Sequence, residues 1–250
     1  MRLIPLVAYL DDFLRVRDVR DAPEALNGLQ IENAGEVTRL AAAVDLCEAT
    51  VRLAVDAHAD LLLVHHGLFW GGPVPLSGPV YRRVSALIAH NVALYAVHLP
   101  LDCHPDLGNA VLLARLLGVG VREPFGDWHG QACGVWGELD TTRDALAARL
   151  TATLGTAPRV LAFGPERIRR LGIVTGAGGS MIPQAATAGL DAYITGEGTH
   201  HSYVVAEELR LNVYYGGHYA TETFGVRRLG ELLAARFGVE HVWLDLPNPV

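Results

Sequence analysis

Two adjacent histidines, His65-His66, stand directly behind an apolar run, Leu61-Leu62-Leu63-Val64. If that run is a buried strand, both imidazoles are presented at its carboxyl edge, where open α/β sheets bind ligands. Two further sets of ligand-type side chains follow the same plan: His98 with Asp102 in HLPLD, and His218 with Glu222 in GGHYATE. Neutral imidazole with carboxylate suits zinc, iron or manganese, and none of the three segments contains a cysteine to offer a thiolate. Two metals roughly 3.5–4 Å apart need about five protein ligands and a bridging carboxylate. Such a centre can ionise a water near neutral pH and clamp a phosphate or carbonyl oxygen.

Each set has a plainer reading when taken alone. Two histidines in a loop are commonly solvated or hydrogen-bonded. On an extended strand they would face opposite ways, so one metal could not easily use both. In a turn after the strand they splay, one toward each of two metals. Pro100 and Pro105 are expected to keep 99–106 out of regular helix, so the chain must fold back to bring His98 and Asp102 together. Asp102 could equally cap a helix or brace a turn, and Glu222 could be an acid at a helix start. The three sets together favour metal over the separate readings.

Weaker candidates lie nearby. Glu197 and His201, in TGEGTHH, are candidates for groups that orient ligands or move protons. Gly176-Ala177-Gly178-Gly179-Ser180 could cradle an anion with backbone N–H groups, but it lacks GxGxxG spacing and reads better as a tight-packing turn. Trp70, Trp128 and Trp136 are expected in the core or an interface.

The elements that must position these residues alternate. Strands are expected at 39–44, 61–64 and 92–97, with helices at 47–58, 80–90 and 108–117 and a loop at 71–79. The second half repeats the plan: Arg170–Val174 answers Arg39–Val44, Asp191–Thr195 answers Asp60–Val64, and Asn212–Tyr215 answers Asn91–Leu94. Glu197 then falls where His66 stood. Between the halves, 134–139 and 159–163 read as strands and 143–154 as a helix; 223–237 reads as a helix and 241–246 as a strand. The expected fold class is α/β: two similar lobes with mixed, largely parallel sheets, facing each other across a dinuclear metal site. The expected lobes are 1–125 and 126–222, with 223–250 able to pack back on the first.

Composition bounds the function. The chain has 250 residues, half of them hydrophobic, and a formal net charge of −7. That charge disfavours nucleic acid as a partner without excluding a local patch. All 20 basic residues are arginine, which excludes a catalytic or P-loop lysine. Three widely spaced cysteines, Cys47, Cys103 and Cys133, suit a reducing compartment. Leu6, Leu10, Phe13 and Leu14 recur at helical spacing, so the N-terminus reads as an amphipathic helix and not a signal peptide. No stretch approaches the ~20 apolar residues of a membrane span. A cytoplasmic location is expected.

VHHGLFW, HLPLD, the TGE of 195–197, GGHYATE and the terminal LDLPNPV together resemble the NIF-three-like family, the GTP cyclohydrolase 1 type 2 homologues. The resemblance runs from NGLQI at 27–31 to Val250. It implies two α/β lobes enclosing a dinuclear centre, in a toroidal homohexamer, the chain being a short form without an inserted domain. By motif it implies His65, His66, Asp102, His218 and Glu222 as metal ligands, Glu222 bridging, with two divalent ions (iron, zinc or manganese) as the cofactor. His98 is kept as an acid/base group, and Glu197 joins it as a candidate proton carrier. Tyr219 stands where a common family form has a second histidine. The expected function is a metal-dependent hydrolase of a small nucleotide or phosphate-bearing substrate, working through a metal-bound water. The alternative is a non-catalytic, ring-shaped metal-binding protein with a regulatory, DNA-binding or protein-binding role.

Overall fold

A computed structural model describes residues 1–248, so Pro249 and Val250 of the terminal motif lie outside the described residues. In chain order the first elements are α1 (Leu3–Phe13), β1 (Gly28–Ile31), β2 (Arg39–Asp45), α2 (Glu48–Asp56), β3 (Leu61–His66), α3 (Gly78–Ala89), β4 (Ala93–Ala96) and α4 (Leu99–Asp102). Then come α5 (Asn109–Leu117), β5 (Gly120–Trp128), β6 (Gln131–Thr142), α6 (Arg143–Leu154), β7 (Arg159–Ala162) and β8 (Arg167–Ile173). The last are α7 (Ile182–Thr187), β9 (Ala192–Thr195), α8 (Ser202–Glu208), β10 (Asn212–Tyr215), α9 (His218–Phe237) and β11 (Glu240–Trp243). The described residues form two compact units, Met1–His104 with Gly225–Leu246, and Pro105–Phe224 with Pro247 and Asn248.

The first unit is built on a five-stranded sheet in the order β1-β4-β3-β2-β11. β4, β3, β2 and β11 run parallel, and β1 closes one edge antiparallel to β4. A parallel strand with both faces covered reads as a continuous apolar run. β3 is such a strand: all six of its residues are buried, the two histidines included. Ala41, Ala43, Leu62, Val64, Leu94 and Ala96 share one face and pack with Val51, Ala54 and Leu87 of α2 and α3. The N-terminal helix α1 is amphipathic as expected and buries Leu3, Leu6 and Leu10. Among the described residues no helix is long and apolar enough to cross a membrane.

The second unit carries a six-stranded sheet, β5-β6-β8-β9-β10-β7. Period-two alternation sorts its core onto two faces. Ala192, Ile194 and Tyr214 belong with Leu146 and Leu150 of α6 on one face. Tyr193 and Val213 belong with Ile182 of α7 and Ala206 of α8 on the other.

The internal repeat is real in the topology. β2-β3-β4 and β8-β9-β10 are each a parallel trio in the same order, each flanked by an antiparallel edge strand next to its last member. The expectation of largely parallel sheets holds for the first unit and fails for the second. There, β5–β6, β6–β8 and β10–β7 are antiparallel, and only β8–β9 and β9–β10 are parallel. The cause is the β5–β6 hairpin. It turns through His129-Gly130, both at positive φ (52° and 89°), the two-residue geometry that matches strand twist. His-Gly is not the usual sequence for such a turn, and β5 has no place among the strands expected from sequence.

Candidate metal centre

The parallel pairing of β2 with β3 places the first donors. Its register runs to Asp45↔His66, so the two histidines are the last residues of the strand and not of a turn beyond it. This corrects the expectation that they splay in a loop. Their rings nevertheless converge, with centroids 4.8 Å apart and planes at 50°. His65 Nδ1 lies 2.9 Å from the Val97 carbonyl, and His66 Nδ1 lies 2.7 Å from Asp45 Oδ1. His65 Nε2 is 3.4 Å from Asp102 Oδ2, the two side chains 0% and 8% exposed.

HLPLD also differs from expectation. Leu99–Asp102 forms one turn of α-helix with Pro100 at its start. Proline is tolerated there because the first helical N–H groups have no intrahelical acceptor. Asp21 completes the turn: its Oδ2 accepts from Leu99 N at 2.9 Å, and its Oδ1 lies 2.9 Å from His98 Nδ1. Asn27 Oδ1 accepts from His98 N at 2.7 Å. Burial by itself would raise the Asp21 pKa, but the hydrogen bond and charge of His98, with Asn27 and Leu99 N–H, hold it below its ordinary value. The His98 ring comes 4.9 Å from that of His65 and 5.5 Å from that of His66. Each of these three histidines offers a ligand nitrogen within 4.8 Å of the others. Trp70, expected in the core or an interface, is 44% exposed and packs on His66 and His98 with centroids 4.7 and 4.4 Å away.

In the second unit, α9 starts at His218, five residues before the expected Thr223. Gly217, at φ +91°, makes the sharp entry that leads directly into the helix. His218 and Glu222 are therefore an i,i+4 pair on one helix face, where a loop with a later helix start was expected. His218 Nε2 lies 3.1 Å from Glu222 Oε2, and its Nδ1 lies 2.8 Å from Glu197 Oε1. Burial would lower the His218 pKa, but hydrogen bonds and charge from Glu222 and then Glu197 outweigh it and raise it to about 9. Glu197 thus sits directly behind a donor histidine. His201 does not join it: it is exposed and bonds Thr199.

The glycine-rich turn packs; it does not cradle an anion. Gly178 N–H donates to Thr195 Oγ1 at 3.0 Å and Gly176 N–H to Thr221 Oγ1 at 3.1 Å. Gly176 has a second role. It takes φ +62°, and a Cβ there would collide with Glu222 Oε1 and lie 3.3 Å from His218 Nε2. The absent side chain leaves the carboxylate its place.

Asp21, Asp45 and Asn27 were not among the residues expected from sequence to shape the site. Asp45 had a signal, since it ends β2 one strand away from the histidine pair. Asp21 had none, because its segment carries no strand or helix pattern, and Asn27 opens the NGLQI motif without any role expected for it. Cys47 serves as the N-cap of α2, accepting from Thr50 N, and no cysteine joins a donor group among the described residues.

A family model, Duf34/NIF3 (NGG1p interacting factor 3), matches residues 1–249. The chain is 41% identical to a GTP cyclohydrolase 1 type 2 homolog of Deinococcus radiodurans, over 97% of this chain and 92% of that protein. It is 42% identical to a protein of the same description from Pyrococcus horikoshii, over 97% of each. A solved structure from Thermus thermophilus aligns at TM-score 0.93 and 39% identity, covering 100% of both chains. Reduced HcgD from Methanocaldococcus jannaschii aligns at TM-score 0.85 and 25% identity, covering 98% of both.

Proposed function

The chain belongs to the Duf34/NIF3 family, and from that premise we propose that it is a dinuclear-metal-dependent hydrolase of a small nucleotide or phosphate-bearing substrate. In this reading His65, His66, Asp102, His218 and Glu222 would hold two divalent ions. One observation carries it. Each of the four histidines has its Nδ1 against an acceptor: Val97 O for His65, Asp45 for His66, Asp21 for His98 and Glu197 for His218. An acceptor at Nδ1 draws the ring proton there, so that Nε2 carries the lone pair once the ring is neutral, the usual preparation of a histidine for metal. The donor set of imidazoles and carboxylates fits iron, zinc or manganese.

The chemistry that two divalent ions would supply there is a water ionising near neutral pH and a polarised phosphoryl or carbonyl oxygen. The chain's own groups do the rest. His98, braced by Asp21, accepts or returns a proton at Nε2. Glu197 fixes the ring of His218, and its other oxygen serves as a second proton carrier. Buried walls around His65 and Asp102 exclude bulk water, which strengthens every charge contact there.

Elemental analysis of the purified protein, followed by a nucleotide and phosphoester screen with and without chelator, tests the reading. Glu222→Ala should lose metal and turnover together; full turnover in a metal-free Glu222→Ala protein would overturn it. Salt-dependent DNA retention without turnover would favour the binding role instead. The toroidal homohexamer belongs to the same proposal, and sedimentation of the intact protein checks it.

A further inference from the structure

We propose that the cleft between α2 and α3 binds a small organic phosphate, at a site separate from the histidine and carboxylate donors. The cleft has a volume of about 290 Å³ and lies on the helical face of the first unit. Val51, Val55 and Ala86 line it with apolar surface, while Arg52, Arg82 and Arg83 bring three positive charges against the single Glu48. That is a net cationic cleft on a chain whose net charge is −7.

The arginines are unequally used. Arg82 is held by Glu48 in a two-pronged ion pair, with bonds of 3.0 and 2.7 Å. Arg83 donates through Nη1 to the Leu46 carbonyl at 2.8 Å, but its Nε–H is buried with no acceptor among the described residues. Arg52 has no ion pair or hydrogen bond among the described residues. A buried guanidinium N–H ordinarily has an acceptor, and a phosphate oxygen held in the cleft would supply one. Phosphate oxygens match a guanidinium fork and can serve two arginines at once. The apolar lining suits the carbon skeleton of a phosphomonoester, and the volume suits a sugar phosphate better than a whole nucleotide.

Titration calorimetry of the intact protein with ribose 5-phosphate, inorganic phosphate and ribose tests this. Ribose 5-phosphate should bind, and ribose should not. Arg83→Gln and Arg52→Gln should each weaken binding about tenfold, the scale of one lost charge-assisted contact. Arg52 is exposed, so its replacement keeps the test valid if Arg83→Gln fails to fold. Glu222→Ala should leave this binding unchanged, which separates the cleft from the metal reading. Wild-type affinity in both arginine variants overturns the proposal. So does binding abolished by Glu222→Ala, binding of inorganic phosphate as tight as that of the ester, or no binding at millimolar ligand.

Discussion

The two units present their donors by opposite means. In the first, His65 and His66 are the last residues of a buried central strand, and a neighbouring strand's Asp45 and a backbone carbonyl hold their Nδ1 atoms. In the second, the corresponding strand β9 ends in Thr195, which is spent on packing the glycine turn. The donors come instead from the first turns of α9, and a carboxylate stands at each nitrogen of His218. A strand end fixes side chains through sheet register and burial. A helix start fixes them through spacing and charge. Loss of a hydrogen-bond partner should tell most on the first arrangement, and a change of pH on the second, where the His218 pKa is raised to about 9.

The largest effect expected within the first set follows from its dependence on Asp45. Asp45→Asn should lower metal affinity about 10–100-fold, the usual range for a partner of a ligating histidine, read by competition with a chelator. Unchanged affinity would remove Asp45 from the site. In the second set, Gly176→Ala tests space. Its φ of +62° and the collision with Glu222 predict a loss of about 1–3 kcal/mol in unfolding free energy, together with weaker metal binding. A stable variant with full metal content would show that the carboxylate does not need that position.

A smaller effect separates the sets by pH. With a pKa of about 9, His218 must give up a proton to bind metal, so apparent affinity should rise about tenfold per pH unit below 9 and level off above it. Glu197→Gln should move that levelling point down.

Smallest is the stability of the chelated protein. The His218 pKa is raised from 6.5, so its contribution is complete below pH 6.5 and lost as pH rises through about 9. The Asp21 pKa is lowered from 3.8, so its contribution is complete above pH 3.8 and lost as pH falls through the depressed value. Melting temperatures across pH should therefore show a shallower alkaline slope in Glu197→Gln, where Glu222 still supports the His218 proton, and lose their acid slope in Asp21→Asn. Identical profiles in both variants would erase the contrast.

Sequence reading went furthest where one pattern had one meaning. The apolar run before His65 read as a buried strand and is one, and the repeated trio of strands followed from spacing. It failed where local signals conflicted. Pro100 argued against helix, yet it occupies the one turn in which proline costs nothing. Gly216-Gly217 read as a loop that would delay α9, when Gly217 marks its start. The braces Asp21 and Asn27 were invisible because they act at sequence distances of 77 and 71 residues, through contacts that only the folded chain creates.

The match of Asp45 to His66 also bears on how the chain reaches its native state. A slip of one residue between β2 and β3 would turn every side chain of the strand to the other face. It would also carry Asp45 away from His66. β2 reads Leu40-Ala41-Ala42-Ala43-Val44, small and repetitive enough that hydrophobic packing alone discriminates weakly against such a slip. The aspartate at its end is the residue that marks the correct alignment.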